Sequence, residues 1–288
     1  NELSRLPNWL LQKSIMHLKT RYRNQFTPPW PKIVIGCGRR SAPIGLWIKK
    51  KSNNHSHYIQ ILWPGWPSKS IDLIATPEHD QISARKNIIN FLTSPHIFAK
   101  EQLNQARKKW SKTLKELPYP RIAVLIGGDT RKNKFLPSHS SAMIKLLINF
   151  IGSTGSLMIT TSRRTSKVTQ ECIKKEVSLL GDRVVFWEKD LNTENPYPGF
   201  LSYADAVAVT GDSVSLCSEA CSTGKPILIF SPIKITTSKQ KMFHQALIKK
   251  GIAEYLEKSD LDILKKISYK PLNEANFIAK EIEERFLN

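Results

Sequence analysis

The chain has 288 residues, 40% of them hydrophobic, which is enough for one large core or two ordinary ones and excludes a disordered chain. Lysine and arginine (44) exceed aspartate and glutamate (24) by 20, which points to anionic partners: nucleic acid, anionic lipid or phosphorylated substrates. No apolar run reaches the roughly 18 residues that a bilayer crossing takes, and the start lacks the pattern of a secretory signal, so a cytoplasmic chain is expected, free or peripheral on a membrane's inner face.

In chain order, the first half supplies apolar runs at 32–38, 58–62, 70–76 and 87–93, each followed by a Gly- or Pro-marked turn. That is how strands of a parallel α/β sheet read. After the first run come Gly36, Cys37, Gly38, Arg39, Arg40 and Ser41, with a helix expected to begin near Ser41. Two glycines, two fixed cations and free helix N–H groups suit a phosphate or carboxylate; a plain turn with solvated arginines is the competing reading. After the third run stand Glu78, His79 and Asp80. A histidine flanked by carboxylates can serve as general base, and helix capping by Glu78 or Asp80 beside a structural histidine is the alternative.

The charged segment 104–120 reads as helix and ends in Pro118-Tyr119-Pro120, so the division between two Rossmann-like domains, 1–117 and 118–270, is expected there. Residues 271–288 have helical apolar spacing and are read as a closing helix that packs back on the first domain.

The second half offers apolar runs at 121–128, 155–162, 182–188, 205–211 and 225–231. The first ends in Gly127, Gly128, Asp129 and Arg131, a loop able to pass close to a diphosphate. The second ends in Ser162, Arg163 and Arg164. The fourth ends in Gly211, read as adopting a turn conformation closed to other residues, and runs into a helix start with Asp212, Ser213 and Ser215, then Glu219, Gly224 and Lys225. Asp212 would repel phosphate, so it is read as the helix cap, Ser213 and Ser215 as phosphate contacts, and Glu219 as a partner of sugar or ribose hydroxyls. A capped crossover helix with no ligand is the alternative. In open parallel sheets ligands gather at the carboxyl ends of strands, and four such ends here carry Gly, Ser/Thr and Arg.

The four cysteines, Cys37, Cys172, Cys217 and Cys221, are too scattered for a disulfide framework, and no metal site or cofactor is expected. Nucleic acid is set aside, because no recognition module and no alternation of basic and aromatic residues is present. The sequence starts at Asn1 rather than Met, so residues upstream of it are expected.

The segments "GCGRRSAP", "TPEHD", "LIGGDTRK", "TSRRT" and "ADAVAVTGDSVSLCSEACSTGKP" resemble, in that order, the bacterial relatives of the plant mitochondrial-fission protein family named for its elongated-mitochondria phenotype. The resemblance implies a GT-B-like glycosyltransferase fold: two Rossmann-like domains facing a cleft, the nucleotide-sugar held mainly by the second. It implies two functions, sugar transfer to a cell-envelope acceptor without metal, or a non-catalytic scaffold that recruits a protein partner at a membrane surface. Some bacterial members carry an epimerase label; the Gly-x-x-Gly-x-x-Gly turn and Tyr-x-x-x-Lys pair of that class are missing, so that label is rejected.

Overall fold

Runs of Val, Ile and Leu become strands here because both faces of a parallel sheet are covered, so the pattern is continuous rather than alternating. In the computed structural model, which describes residues 8–65, 68–188 and 193–288, these runs form β1 (Ile33–Cys37), β2 (His57–Ile61), β3 (Leu73–Pro77), β4 (Ile88–Phe91), β5 (Arg121–Ile126), β6 (Ser156–Thr161), β7 (Val184–Trp187), β8 (Ala206–Thr210) and β9 (Ile227–Phe230). A tenth strand, β10 (Ala253–Tyr255), escaped the sequence reading. It has three residues, one of them charged, and exists through its pairing with β9.

The first unit comprises the described residues up to Phe91 together with Asn276–Asn288. Its sheet runs β1-β2-β3-β4, all parallel. Side chains alternate between faces along each strand. Tyr58, Ile74 and Ile88 pack with Leu46 of the helix Ala42–Lys51, while Ile59, Leu73, Ala75 and Phe91 pack with Ile278 and Ile282 of the helix Glu274–Phe286.

The second unit is Leu92–Ala275, with sheet order β10-β9-β8-β5-β6-β7, again all parallel. The chain enters at the centre with β5, winds outward through β6 and β7, then returns to β8 on the other side of β5. That is the doubly wound Rossmann order, and it leaves a switch point between β5 and β8. Along β5, Ile122, Val124 and Ile126 face one core with Met143, Ile144 and Leu147; Ala123 and Leu125 face the other with Phe200, Cys217 and Phe243. Arg121 fixes the start of β5 by donating to both carboxylate oxygens of Asp205 at 3.0 and 3.2 Å.

By its contacts the chain divides between Phe91 and Leu92 rather than at Pro118. The helix Lys100–Lys109 belongs with the second unit: Leu103, Trp110 and Leu114 join its core, and Tyr203 donates to the Arg107 carbonyl at 3.1 Å. The prolines at 118 and 120 mark entry into β5, not a boundary. Among the described residues no helix is long and apolar enough to cross a membrane.

Candidate functional site

Strand ends on either side of a switch point send their loops in opposite directions, which opens a crevice at the carboxyl edge of the sheet. The second unit has a cavity of about 510 Å³ at this edge. Leu125 and Ile126 reach it from the end of β5, Thr160, Thr161, Ser162 and Arg163 from β6, and Trp187 from β7. Leu216 and Glu219 come from the helix Val214–Ala220 that follows β8, and Tyr197 from the helix Tyr197–Tyr203 that precedes it.

The Tyr197 hydroxyl donates to the Glu219 carboxylate. Its ring is backed by Phe98, with centroids 5.5 Å apart, and its backbone N–H donates to Asn195 Oδ1 at 3.0 Å. Burial holds the Glu219 carboxyl above the ordinary carboxylate range, with the Tyr197 hydrogen bond opposing it. Tyr197 is pushed well up, first by burial and then by the neighbouring Glu219 charge.

The two arginines after β6 have different fates. Arg164 Nη2 pairs with Asp212 Oδ2 at 2.8 Å, and Arg164 also donates to the carbonyls of Gly128 and Asp129 at 2.9 and 3.0 Å. Its charge is thus committed to the protein. Arg163 is exposed, lines the cavity and takes part in no ion pair among the described residues.

Asp212 is not the helix cap that the sequence suggested. Its side chain is 1% exposed, accepts the Gly128 N–H at 3.1 Å and holds Arg164. Ser213 is the cap, its hydroxyl accepting from the Leu216 N–H at 3.3 Å, and Ser215 in the first turn is exposed. The Gly127-Gly128 pair likewise answers to the protein rather than to a diphosphate. A Cβ on Gly127 would stand 2.3 Å from the Asp212 carboxylate, and one on Gly128 2.3 Å from the Arg164 backbone. Gly211 is outside the left-handed region; it is glycine because a Cβ would meet the buried His244 ring at 2.6 Å.

Ser162 donates to the Gly127 carbonyl at 2.9 Å and accepts from the Arg164 N–H at 3.1 Å, so it stitches the β5 and β6 loops together. Asp129 closes its own loop by accepting from Lys134 Nζ at 2.7 Å and the Phe135 N–H at 3.0 Å, contacts that hold its carboxyl below the usual range. Arg131 is exposed in the same loop. Gly224 adopts φ 68°, and with Lys225 it precedes β9, at the amino edge of the sheet. The structure therefore does not bring these two to the cavity.

In the first unit Gly38 turns the chain with φ 77°, and Ser41 donates to its carbonyl at 2.8 Å. A Cβ on Gly36 would fall 2.5 Å from the Tyr58 hydroxyl, which donates to buried Gln60. Arg39 and Arg40 are exposed at this turn. Glu78, His79 and Asp80 form a single 3₁₀ turn after β3, closed by Gln81 at φ 55°, and so cap no longer helix. Glu78 is exposed; His79 and Asp80 are half-buried.

The sequence places Thr161 at this edge, within the segment TSRRT, but does not single out Trp187, Tyr197, Thr160 or Leu216. Trp187 and Thr160 stand at strand ends, a signal that could have found them; nothing in the sequence marks Tyr197. Among the described residues no three His, Cys, Asp or Glu side chains are grouped to hold a metal ion.

The chain is 31% identical over 315 residues to uncharacterized protein RP120 of Rickettsia prowazekii (strain Madrid E), covering 98% of this chain and 88% of that one. It is 28% identical over 299 residues to mitochondrial fission protein ELM1 of Arabidopsis thaliana, covering 95% and 68%. The crystal structure of a putative UDP-N-acetylglucosamine 2-epimerase from Listeria monocytogenes matches with a TM-score of 0.56 at 15% identity, covering 99% of this chain and 80% of that one. At that identity the match shows fold alone: two parallel α/β sheets of the GT-B-like kind. The sequence pattern described as Mitochondrial fission ELM1 matches residues 2–286, and the chain belongs to that family.

Proposed function

We propose that the cavity at the carboxyl edge of the six-stranded sheet binds a nucleotide-sugar and that the protein transfers the sugar to a cell-envelope acceptor. One observation carries this reading: Glu219, the uncommitted guanidinium of Arg163 and the aromatic ring of Trp187 surround one cavity at a switch point. Its volume of about 510 Å³ is within the range of small-molecule sites, roughly 300–1,000 Å³. Trp187 offers a face for a base, Thr160, Thr161 and Arg163 meet phosphoryl oxygens, and Glu219 accepts from a hydroxyl.

In sugar transfer the bond from the anomeric carbon to the diphosphate oxygen breaks, and the leaving group takes the electron pair. Arg163 stabilises that charge, whereas Arg164, neutralised by Asp212, contributes much less. A base must remove the acceptor's proton, and Glu78, His79 and Asp80 at the carboxyl end of β3 are the candidates. The name of the Listeria relative makes UDP-sugars the first probes.

A second reading is a scaffold that recruits a protein partner at a membrane surface; the Arabidopsis relative is named for mitochondrial fission, and the net charge of +20 suits an anionic surface. A thermal-shift panel of UDP-, GDP-, CDP- and TDP-sugars separates the two. A ligand that raises the wild-type melting temperature, fails to do so in Glu219→Ala of unchanged fold, and is consumed on adding acceptor supports the enzyme. A shift without turnover, together with a co-purifying protein, supports the scaffold; no shift with any of them ends the nucleotide-sugar reading.

A further inference from the structure

The first sheet has two edges, and they are treated differently. At one, Arg85 folds back on β4, accepting from the Ile88 N–H at 2.9 Å and donating to its carbonyl at 3.4 Å, so that edge is partly closed. At the other, β1 pairs with β2 alone among the described residues. The pairing has no bulge: Ile33 to Cys37 match His57 to Ile61 residue by residue. The Gly38 N–H donates to the Ile61 carbonyl at 2.9 Å and the His57 N–H to the Lys32 carbonyl at 2.8 Å, so the even-numbered residues address β2. Successive backbone groups of a strand point to opposite sides, so Ile33, Ile35 and Cys37 turn their N–H and C=O groups outward. Ile35 is 58% exposed, and Cys37 is exposed. No proline, bulge or charged side chain interrupts this row, although those are the devices that usually close an edge.

The charges stand at the ends of the strand instead. Lys32 precedes it and Arg39 and Arg40 follow it, all three exposed, and the chain has no Asp or Glu between Glu2 and Asp72. A second copy of the chain fits this edge poorly. Antiparallel pairing about Ile35 would bring Lys32 of each copy next to Arg39 of the other, and parallel pairing would set like cations side by side. We propose that β1 is a docking edge for an extended segment of a partner protein, which adds to the four strands with apolar side chains over Ile35 and with Asp or Glu at its ends against Lys32, Arg39 and Arg40. Main-chain bonds to Ile33, Ile35 and Cys37 supply the pairing, and the cationic flanks select an acidic partner. Every residue involved belongs to the first unit, so docking does not depend on what the second unit's cavity binds.

The test uses synthetic peptides of about nine residues with alternating Val and Thr in the centre and Asp/Glu, Ser or Lys at both ends, titrated against the full chain. Cys37 is the reporter, the one exposed cysteine of the four, and a strand laid on β1 covers it. Its alkylation by N-ethylmaleimide, read by peptide mass spectrometry, should slow about fivefold once an acidic peptide is at about four times its Kd, and hydrogen exchange should slow at the Ile33, Ile35 and Cys37 amides. Acidic peptides should bind about tenfold more tightly than their Lys twins, a gap that narrows at high salt. Ile35→Pro removes an outward N–H without breaking a bond to β2 and should abolish binding, whereas Ile35→Thr keeps the N–H and should retain it. Should Ile35→Pro not fold, Lys32→Glu combined with Arg40→Glu must turn the preference to the Lys set. The proposal is overturned if no acidic peptide protects Cys37, if binding survives Ile35→Pro, or if the three sets bind equally. A dimer that forms with rising concentration and is lost in Ile35→Pro would give the edge to a second copy and overturn it as well.

Discussion

The two sheets of this protein are built from the same kind of strand and differ in order. The first runs β1-β2-β3-β4 in one direction, with no reversal. The second reverses between β5 and β8, and there the loops part. Their cavities follow that difference. In the first unit a cavity of about 730 Å³ is lined by Lys49, Lys50, Asn53 and Asn54 at the end of the helix Ala42–Lys51, and by Ser70 ahead of β3, hence at the amino edge. In the second unit the cavity is at the carboxyl edge and gathers an acid, a guanidinium and two aromatic rings. Residue types alone do not make a site; strand order decides whether they converge.

Each unit has its own point of weakness. In the second, Asp212 is the keystone between the β5, β6 and β8 loops. Replacing it by Ala leaves Arg164 and the Gly128 N–H without their partner and should lower that unit's stability by about 3–5 kcal/mol, at the low end because Arg164 is partly exposed. Denaturant unfolding followed by hydrogen exchange would locate the loss in residues 92–275.

The corresponding weakness of the first unit is its borrowed helix. Ile278→Ala should cost about 2–4 kcal/mol, and protection should fall in β2 and β3 but not in β5 or β8. Uniform loss across both units would erase the distinction.

Acid should act on the second unit through His244. Burial lowers its pKa to about 4, against about 6.5 in the unfolded chain, so the folded state binds the proton less well. The contribution is complete above pH 6.5 and is lost as pH falls from about 6.5 towards 4, on the order of 3 kcal/mol in all. Unfolding midpoints at pH 7 and pH 4.5 measure it, and His244→Phe should flatten the dependence.

The smallest effect belongs to the first unit. Gly38 has φ 77° with open space where a Cβ would go, so Gly38→Ala should cost about 1 kcal/mol through backbone strain alone, whereas Gly127→Ala must displace Asp212 and cost clearly more. Equal costs for the two would mean that Asp212 is free to move.

These contrasts also mark what could be read from the residues. Nine strands were legible because buried parallel strands are near-continuous apolar runs, and the closing helix was legible from its spacing. Strand order was not, since nothing local says that β8 pairs with β5. Arg163 and Arg164 are neighbours of identical type, and only the fold shows that one is tied to Asp212. The glycines were legible as special positions, yet the reasons differ: Gly38 for its φ, Gly127 for Asp212, Gly211 for His244. Tyr197 was invisible because its place at the site comes from its bond to Glu219, which follows a helix and a strand later in the chain and is adjacent only in space.

The helix Glu274–Phe286 also sets an order of events during synthesis. The second unit has all its residues once Ala275 is made, whereas the first, although translated earlier, lacks Ile278 and Ile282 until that helix leaves the ribosome. Until then the Ile59, Leu73 and Ala75 face of its sheet lacks the cover of that helix, so of the two units the one begun first is completed last.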